Sequence, residues 1–291
     1  MISRSTLLHL RIPFSFFLLP VYLFALSISN TPAWQNVLFV FFIVHFLLYP
    51  ASNGYNSYFD KDKKSIGGLR HPPAVTKELY SVSLILDIAS IVFGLMINIW
   101  FGLMLFIYGM ISKAYSHPSV RIKKYPVLSW LTAGFFQGFF TFMMCYLAMN
   151  DAELEIFRQQ EIVIPAFLSS VMLWGSYPMT QVYQHEEDAG RGDITLSLKL
   201  GIQGTFHFTG GFFTLATVAF MLFYLTFFES ADAYTFLLFT IPMVMYFVRW
   251  YLRVRKDRSK ADFGNSMGLN LISSVCLSLF FIWMTIKYTF L

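Results

Sequence analysis

The sequence predicts an all-α polytopic membrane protein with about nine transmembrane helices. Apolar residues make up 56% of its 291 positions and charged residues only 13%, about half the roughly 25% of a soluble domain. The apolar residues form runs long enough for a bilayer core, which takes about 20 residues per helix. The charges fall between those runs in an alternating pattern, and the 34 Phe suit lipid-facing helices better than a soluble core.

The first run, 12–30, follows Arg4 and Arg11 and superficially resembles a signal peptide. No small-residue cleavage site follows it and eight further runs do, so it reads as a retained first helix. The second, 36–59, leads into the polar stretch NGYNSYFDKDKK. The third and fourth, 77–97 and 98–115, are divided only by a tight neutral connection at Asn98. The fifth and sixth, 126–149 and 162–184, flank an acidic loop, and the sixth leads into QVYQHEEDAGRGD. The runs 203–228, 232–252 and 267–290 complete the set. No loop is long enough to stand as a soluble domain, so residues 1–291 are expected to form one transmembrane domain.

Nineteen of the 21 Lys and Arg lie at the N-terminus or on loops 2–3, 4–5, 6–7 and 8–9, leaving only Arg158 and Lys287 opposite. The positive-inside rule then puts the N-terminus in the cytoplasm and the C-terminus outside, as expected of an integral protein of the inner (cytoplasmic) membrane. The net charge of +5 is parcelled among short loops rather than gathered on one face, which argues against a nucleic-acid partner. Cys145 and Cys276 lack metal-ligand spacing and sit in apolar runs, so they read as inert thiols. The basic run Arg249 to Lys260 reads as an orientation signal and His45 as a packed core residue.

Asn53, Asn56 and Asp60 end span 2. Gln181, Gln184 and Asp188 end span 6. Each set is spaced three then four residues, a single polar stripe on a helix. Both span ends face the same compartment, and polar groups at that depth are costly unless they line a protein interior or a wet cavity. One cavity lined by both stripes removes both costs. Its residue types suit Mg²⁺, which takes hard oxygen ligands and commonly shares one or two carboxylates with substrate phosphates. Asp60 and Asp188 supply the carboxylates, Asn56 and Gln184 amide oxygens, with Asp62, Glu186 and Glu187 in reserve. Arg70, Lys113, Arg121, Lys123 and Lys124 can neutralise phosphate oxygens. Tyr55, Tyr58, Tyr115, Trp174, Tyr177 and Tyr183 supply aromatic faces near the same end, which attract cations. Thr132, Gln137, Asn265 and Asn270 are open candidates for further lining of the pocket. Mid-span Asp87 either lines the cavity or bonds a neighbouring helix.

These motifs resemble the UbiA superfamily of intramembrane prenyltransferases. Asn56-Ser57-Tyr58-Phe59-Asp60, followed by Arg70-His71-Pro72, is similar to its first signature. The run from Gln184 through Asp188, Gly192, Thr195 and Leu196 to Leu200-Gly201 is similar to its second, and Tyr115-Ser116-His117-Pro118 with Arg121 and Lys123 to the basic loop between. The resemblance implies a helical bundle around a central cavity, an isoprenoid diphosphate as donor and a hydrophobic, aromatic or lipid acceptor, with pyrophosphate released. It implies metal ligation by Asn56, Asp60, Gln184 and Asp188, with Asp60 and Asp188 central to catalysis. Diphosphate contacts fall to Arg70, Arg121 and Lys123, and cavity shaping to Tyr115 and Asn53. Three family aspartates are replaced, by Ser57, Lys64 and Gln184, so fewer carboxylates surround the metal. That leaves a membrane terpene cyclase of the same superfamily as the alternative. A transporter fits less well, because the repeated polar residues lie at one membrane face rather than at the midplane.

Overall fold

The computed structural model describes residues 2–290. Among them, nine helices are long and apolar enough to cross a membrane. They are α1 (Arg4–Ser27), α2 (Trp34–Asp60), α3 (Glu78–Ile97), α4 (Ile99–Ser116), α5 (Pro126–Met149), α6 (Gln160–Thr180), α8 (Leu196–Phe227), α9 (Ser230–Lys256) and α10 (Phe263–Thr289). The short helix α7 (His185–Arg191) joins α6 to α8. The runs of apolar sequence therefore become helices close to the expected limits. The chain is an integral membrane protein, and large apolar side chains such as Leu38, Phe39, Met96 and Met245 point outward to lipid.

The helices close into a ring. α3 packs on α2 and α4, α4 on α5, α5 on α6, α6 on α8, α8 on α9 and α9 on α10, and α1 seals the ring against α10 and α5. One half of the interior is filled by aromatic packing around Phe24, whose ring stacks on Phe281 with centroids 4.5 Å apart and meets Phe142 and Phe220 edge-on or tilted. His45 is fully buried among Phe16, Tyr22, Phe41 and Tyr49, as a packed core residue should be. The other half is hollow.

Two widened turns aim polar residues into that hollow. Pro50 lacks the N–H that an α-helix requires, and α2 passes through a π-type turn at Ile43–Leu48 just before it. In α5 the same turn occurs at Phe136–Phe140. There Ser170 of α6 accepts a hydrogen bond from the Phe139 N–H (2.8 Å) and donates to the Gly134 carbonyl (2.9 Å). Gly138 is required at this crossing, since a Cβ on it would lie 2.5 Å from the Ser170 Cα. Such bulges commonly mark functional sites; here one brings Gln137 to the cavity wall.

α6 stops earlier than expected. Pro178 sits in a 3₁₀ turn, Tyr177–Thr180, and residues 181–184 leave the helix before α7 begins. Gln181, Gln184 and Asp188 are thus not one helical stripe but a turn followed by a separate short helix. Asp87 does not line the cavity. It forms an ion pair with Lys113 across the α3–α4 contact, which also withdraws Lys113 from the set of expected phosphate contacts.

Breaking one side of such a low-dielectric pair typically costs about 3–5 kcal/mol. Lys113→Met is expected to lower the thermal midpoint of the purified protein markedly. The double variant Lys113→Met/Asp87→Asn, which removes both charges, should recover most of that loss, as read by intrinsic fluorescence on heating.

Candidate active site

Both sequence motifs open onto one cavity of about 210 Å³ at the hollow end of the bundle. Asn53, Asn56 and Asp60 reach it from α2, Gln181 and Gln184 from the turn after α6, and Asp188 from α7. Tyr115 and Lys123 enter from α4 and the loop after it. Thr132 and Gln137 complete the wall from α5.

Four aspartates, Asp60, Asp62, Asp188 and Asp193, line the cavity together with Arg11, Lys123 and Arg191. Charges withdrawn from water need partners, and most of these have them. Lys123, only 7% exposed, holds Asp60 and lies 3.5 Å from Asp193 Oδ2. Arg121 forks onto both oxygens of Asp193 at 2.8 Å and reaches Asp60 at 3.6 Å, from behind the wall. Arg191 holds Asp62 and, at 2.7 Å, Asp188 Oδ1. The Arg121 guanidinium is pushed above its usual value chiefly by its hydrogen bond to Asp193. Burial alone would raise Asp193, but the hydrogen bond from Arg121 and the charge of Lys123 hold it below the usual carboxylate range. Asp188 goes the other way: burial outweighs Arg191 and lifts it to about 6.

Backbone geometry serves the same cluster. Arg11, Lys61 and Arg121 all adopt left-handed φ angles, 48°, 50° and 47°, a conformation that costs a non-glycine residue of order 1–3 kcal/mol and persists where surrounding contacts enforce it. Arg11 breaks α1 there, and its guanidinium donates to the carbonyls of Gly67 and Asn53 at 3.2 Å. Gly192 (φ 77°) ends α7 and turns the chain so that Asp193 returns to the cluster.

The oxygen donors fit a hard cation. Asn56 spends its Nδ2 on Ser116 Oγ (2.9 Å) and Gln184 its Nε2 on the Ser65 carbonyl (3.1 Å), leaving both amide oxygens for the cavity. Gln181 Oε1 and Asp188 Oδ2 are buried with no hydrogen-bond partner. Among the described residues no three His, Cys, Asp or Glu side chains gather to hold a metal, so amide oxygens would have to complete any ligand set.

The structure departs from several expectations. Arg70, expected on the diphosphate, is exposed and lies over the Phe263 ring (5.8 Å), beside a separate surface groove. Arg121 acts behind Asp60 and Asp193 rather than at the wall. Of the six aromatics, Tyr115 and Tyr177 line the cavity and share a 2.5 Å hydroxyl hydrogen bond. Tyr55 and Tyr58 pack on Tyr80, Trp174 on Trp130 and Tyr183 on Phe263. Asn265 serves Asp262 and Arg253 instead of a pocket. Asn270 lines a second chamber of about 150 Å³, which shares Phe14, Ser52, Asn53, Tyr108, Gln137, Tyr177 and Thr180 with the first. Arg11, Asp193 and Arg191 carried no site role in the sequence reading. Arg191 and Asp193 lie within its second motif, and their charge was the available signal; Arg11 looked like an orientation charge.

A membrane-embedded bundle whose hollow end gathers carboxylates, amide oxygens and basic side chains defines a class of intramembrane pocket for an anion together with a cation. The chain belongs to the UbiA prenyltransferase family, whose model matches residues 16–287. Solved structures share its fold. A UbiA homolog from Archaeoglobus fulgidus bound to GPP and Mg²⁺ is 18% identical, with a TM-score of 0.71 over 98% of this chain and 99% of that one. An apo UbiA homolog from Aeropyrum pernix K1 is 18% identical, with a TM-score of 0.72 over 94% and 98%. The structure of a digeranylgeranylglyceryl phosphate synthase is 23% identical, with a TM-score of 0.62 over 98% of both chains. No curated protein sequence matches the chain.

The positions of the basic residues separate two variants. Lys123→Met is expected to raise the KM for a prenyl diphosphate on the order of tenfold or more, the size of a lost charge-assisted hydrogen bond. Arg70→Ala should shift it by about twofold at most, as for other surface changes. Initial-rate kinetics on reconstituted protein decide between them.

Proposed function

We propose that the protein, acting as a single transmembrane domain with its site open to the cytoplasm, transfers a prenyl group from an isoprenoid diphosphate to a hydrophobic acceptor with release of pyrophosphate, in a Mg²⁺-dependent reaction. The observation that carries this reading is the convergence of Asn56, Asp60, Gln184 and Asp188 on one cavity. Their oxygens, with that of Gln181, would hold Mg²⁺, which when bound supplies Lewis-acid stabilisation of the leaving oxygens.

The chain's own residues do the rest. Lys123 and Arg191 face the cavity and can neutralise charge on the diphosphate as the bond from C1 to oxygen breaks; fixed donors in a water-poor site are worth several kcal/mol in such a step. Arg121 keeps Lys123 and Asp60 in place from behind. Tyr115, Tyr177 and Tyr108 present aromatic surface to the allylic carbon, where a cation gains about 0.5–2 kcal/mol per ring. Asn53 and Gln137 mark the passage to the second chamber, whose wall mixes Leu18, Val21, Met172, Phe213 and Leu277 with Ser176, Ser273 and Asn270.

Two adjoining chambers favour transfer over cyclisation. A cyclase needs one room in which a single chain folds on itself, whereas transfer needs donor and acceptor to meet across a shared wall.

Asp60→Ala and Asp188→Ala are each expected to reduce Mg²⁺-dependent pyrophosphate release by two orders of magnitude or more, about the size of losing a group that acts on the transition state, while the folded protein still inserts in membranes. Wild-type turnover in either variant would overturn the assignment. Incubation with a prenyl diphosphate alone should yield no cyclic hydrocarbon or alcohol.

A further inference from the structure

The charges of the cavity are balanced before any ligand arrives. Asp60, Asp62, Asp188 and Asp193 face Arg11, Lys123 and Arg191 across the lining, and Arg121 makes the count even from behind. A site that gathers two divalent cations around a diphosphate needs surplus carboxylate, and here there is little. Asp193 is held on both oxygens by Arg121. Asp60 Oδ1 faces Lys123, and Asp62 Oδ1 and Asp188 Oδ1 face Arg191. Asp188 Oδ2 stands apart: its residue is 5% exposed, the atom has neither hydrogen-bond nor ion-pair partner, and it shares the cavity with the equally unpartnered Oε1 of Gln181, a residue 7% exposed.

Arg191 differs from Lys123 in how it is held. It lies three residues beyond Asp188 on the same helix, so the two side chains share a face and form an i,i+3 ion pair. It also holds Asp62, and its Nε lies 3.4 Å from Asp193 Oδ2. Arg191 therefore touches three of the four carboxylates at once. A guanidinium is planar, permanently charged and suited to phosphate oxygens.

Building on the function proposed above, we propose that Arg191 takes the place of a second divalent cation, so that the diphosphate is held by one metal ion between the two motifs and by this guanidinium. The positive charge that would otherwise come from solution is covalently part of α7. The residues that would hold the single ion are Asp188, Asp60 and, through their amide oxygens, Gln181, Gln184 and Asn56. Gln184 fits this arrangement, because a neutral oxygen beside an arginine adds a ligand without adding charge.

The test is a count of metal ions. The full chain in lipid nanodiscs, saturated with the uncleavable analogue geranyl thiolodiphosphate, is titrated with Mn²⁺, and bound ion is read from the loss of the free Mn²⁺ EPR signal. The wild type is expected to bind one Mn²⁺ per chain. R191K, which keeps the charge, should also bind one. R191A frees Asp62 and the second oxygen of Asp188 and should bind two, with its affinity for the analogue lowered on the order of tenfold at limiting Mn²⁺ and recovered at high Mn²⁺. Two ions in the wild type, or one in R191A, overturns the proposal while leaving metal-dependent transfer standing. No ion bound to the wild type overturns both. Should R191A fail to fold, the counts for the wild type and R191K decide alone.

Discussion

Asp60, Asp62, Asp188 and Asp193 could not be taken out of water on a bilayer-embedded scaffold without Lys123, Arg121 and Arg191 beside them. Removing one partner of a buried ion pair leaves an uncompensated charge, a far larger penalty than the pair's own net worth. That asymmetry ties three separate loops into one object. Asp60 comes from the end of α2, Lys123 and Arg121 from the loop after α4, and Arg191 and Asp193 from the end of α7. The hollow end of the bundle is held open, and held together, by these pairs. Hydrogen bonds involving backbone reinforce them: Gln184 donates to the Ser65 carbonyl, and the Lys63 N–H donates to the Glu187 carboxylate.

The left-handed backbone at Arg11, Lys61 and Arg121 adjoins the same cluster. Each stands where the chain leaves a helical segment or enters the cluster. Gly192, at a similar φ without the steric cost, does the same work at the end of α7. Among the described residues, three of the four non-glycine positions with left-handed φ stand at this end, as a preorganised polar site demands of its loops; the fourth, Asp151, lies in the loop between α5 and α6.

Much of this was legible in the sequence, and the failures have physical reasons. The nine spans followed from apolar run length and charge alternation, because in a bilayer those two quantities dominate everything local. Asn53, Asn56 and Asp60 were legible as one face because α2 is continuous through them. Gln181, Gln184 and Asp188 shared the same spacing for a different reason, since Pro178 ends α6 and a turn carries the first two. Arg11 was read as an orientation charge, and nothing local to an N-terminal arginine reveals that α1 breaks there and aims it inward. Arg70 was placed on the diphosphate by motif alone, and its loop instead lays it on Phe263. Asp87 and Lys113, far apart in sequence, explained one another only once α3 and α4 were packed together.

The junction between the two chambers is where the proposed chemistry has to occur. Phe14, Ser52, Asn53, Tyr108, Gln137, Tyr177 and Thr180 belong to both walls, so an allylic carbon there would touch the charged cavity on one side and the mixed chamber on the other. The polar cluster can stabilise only the leaving group. An ammonium or guanidinium close to the carbon would raise the energy of a carbocation, and none of the seven junction residues is charged. The Tyr115–Tyr177 hydroxyl pair spans α4 and α6, spending the polar ends of both rings on each other. That leaves aromatic faces, which attract a cation without competing as nucleophiles. Separation of a charged anion pocket from an uncharged, ring-lined carbon pocket is what a reaction that breaks a carbon–oxygen bond into ions asks of its surroundings.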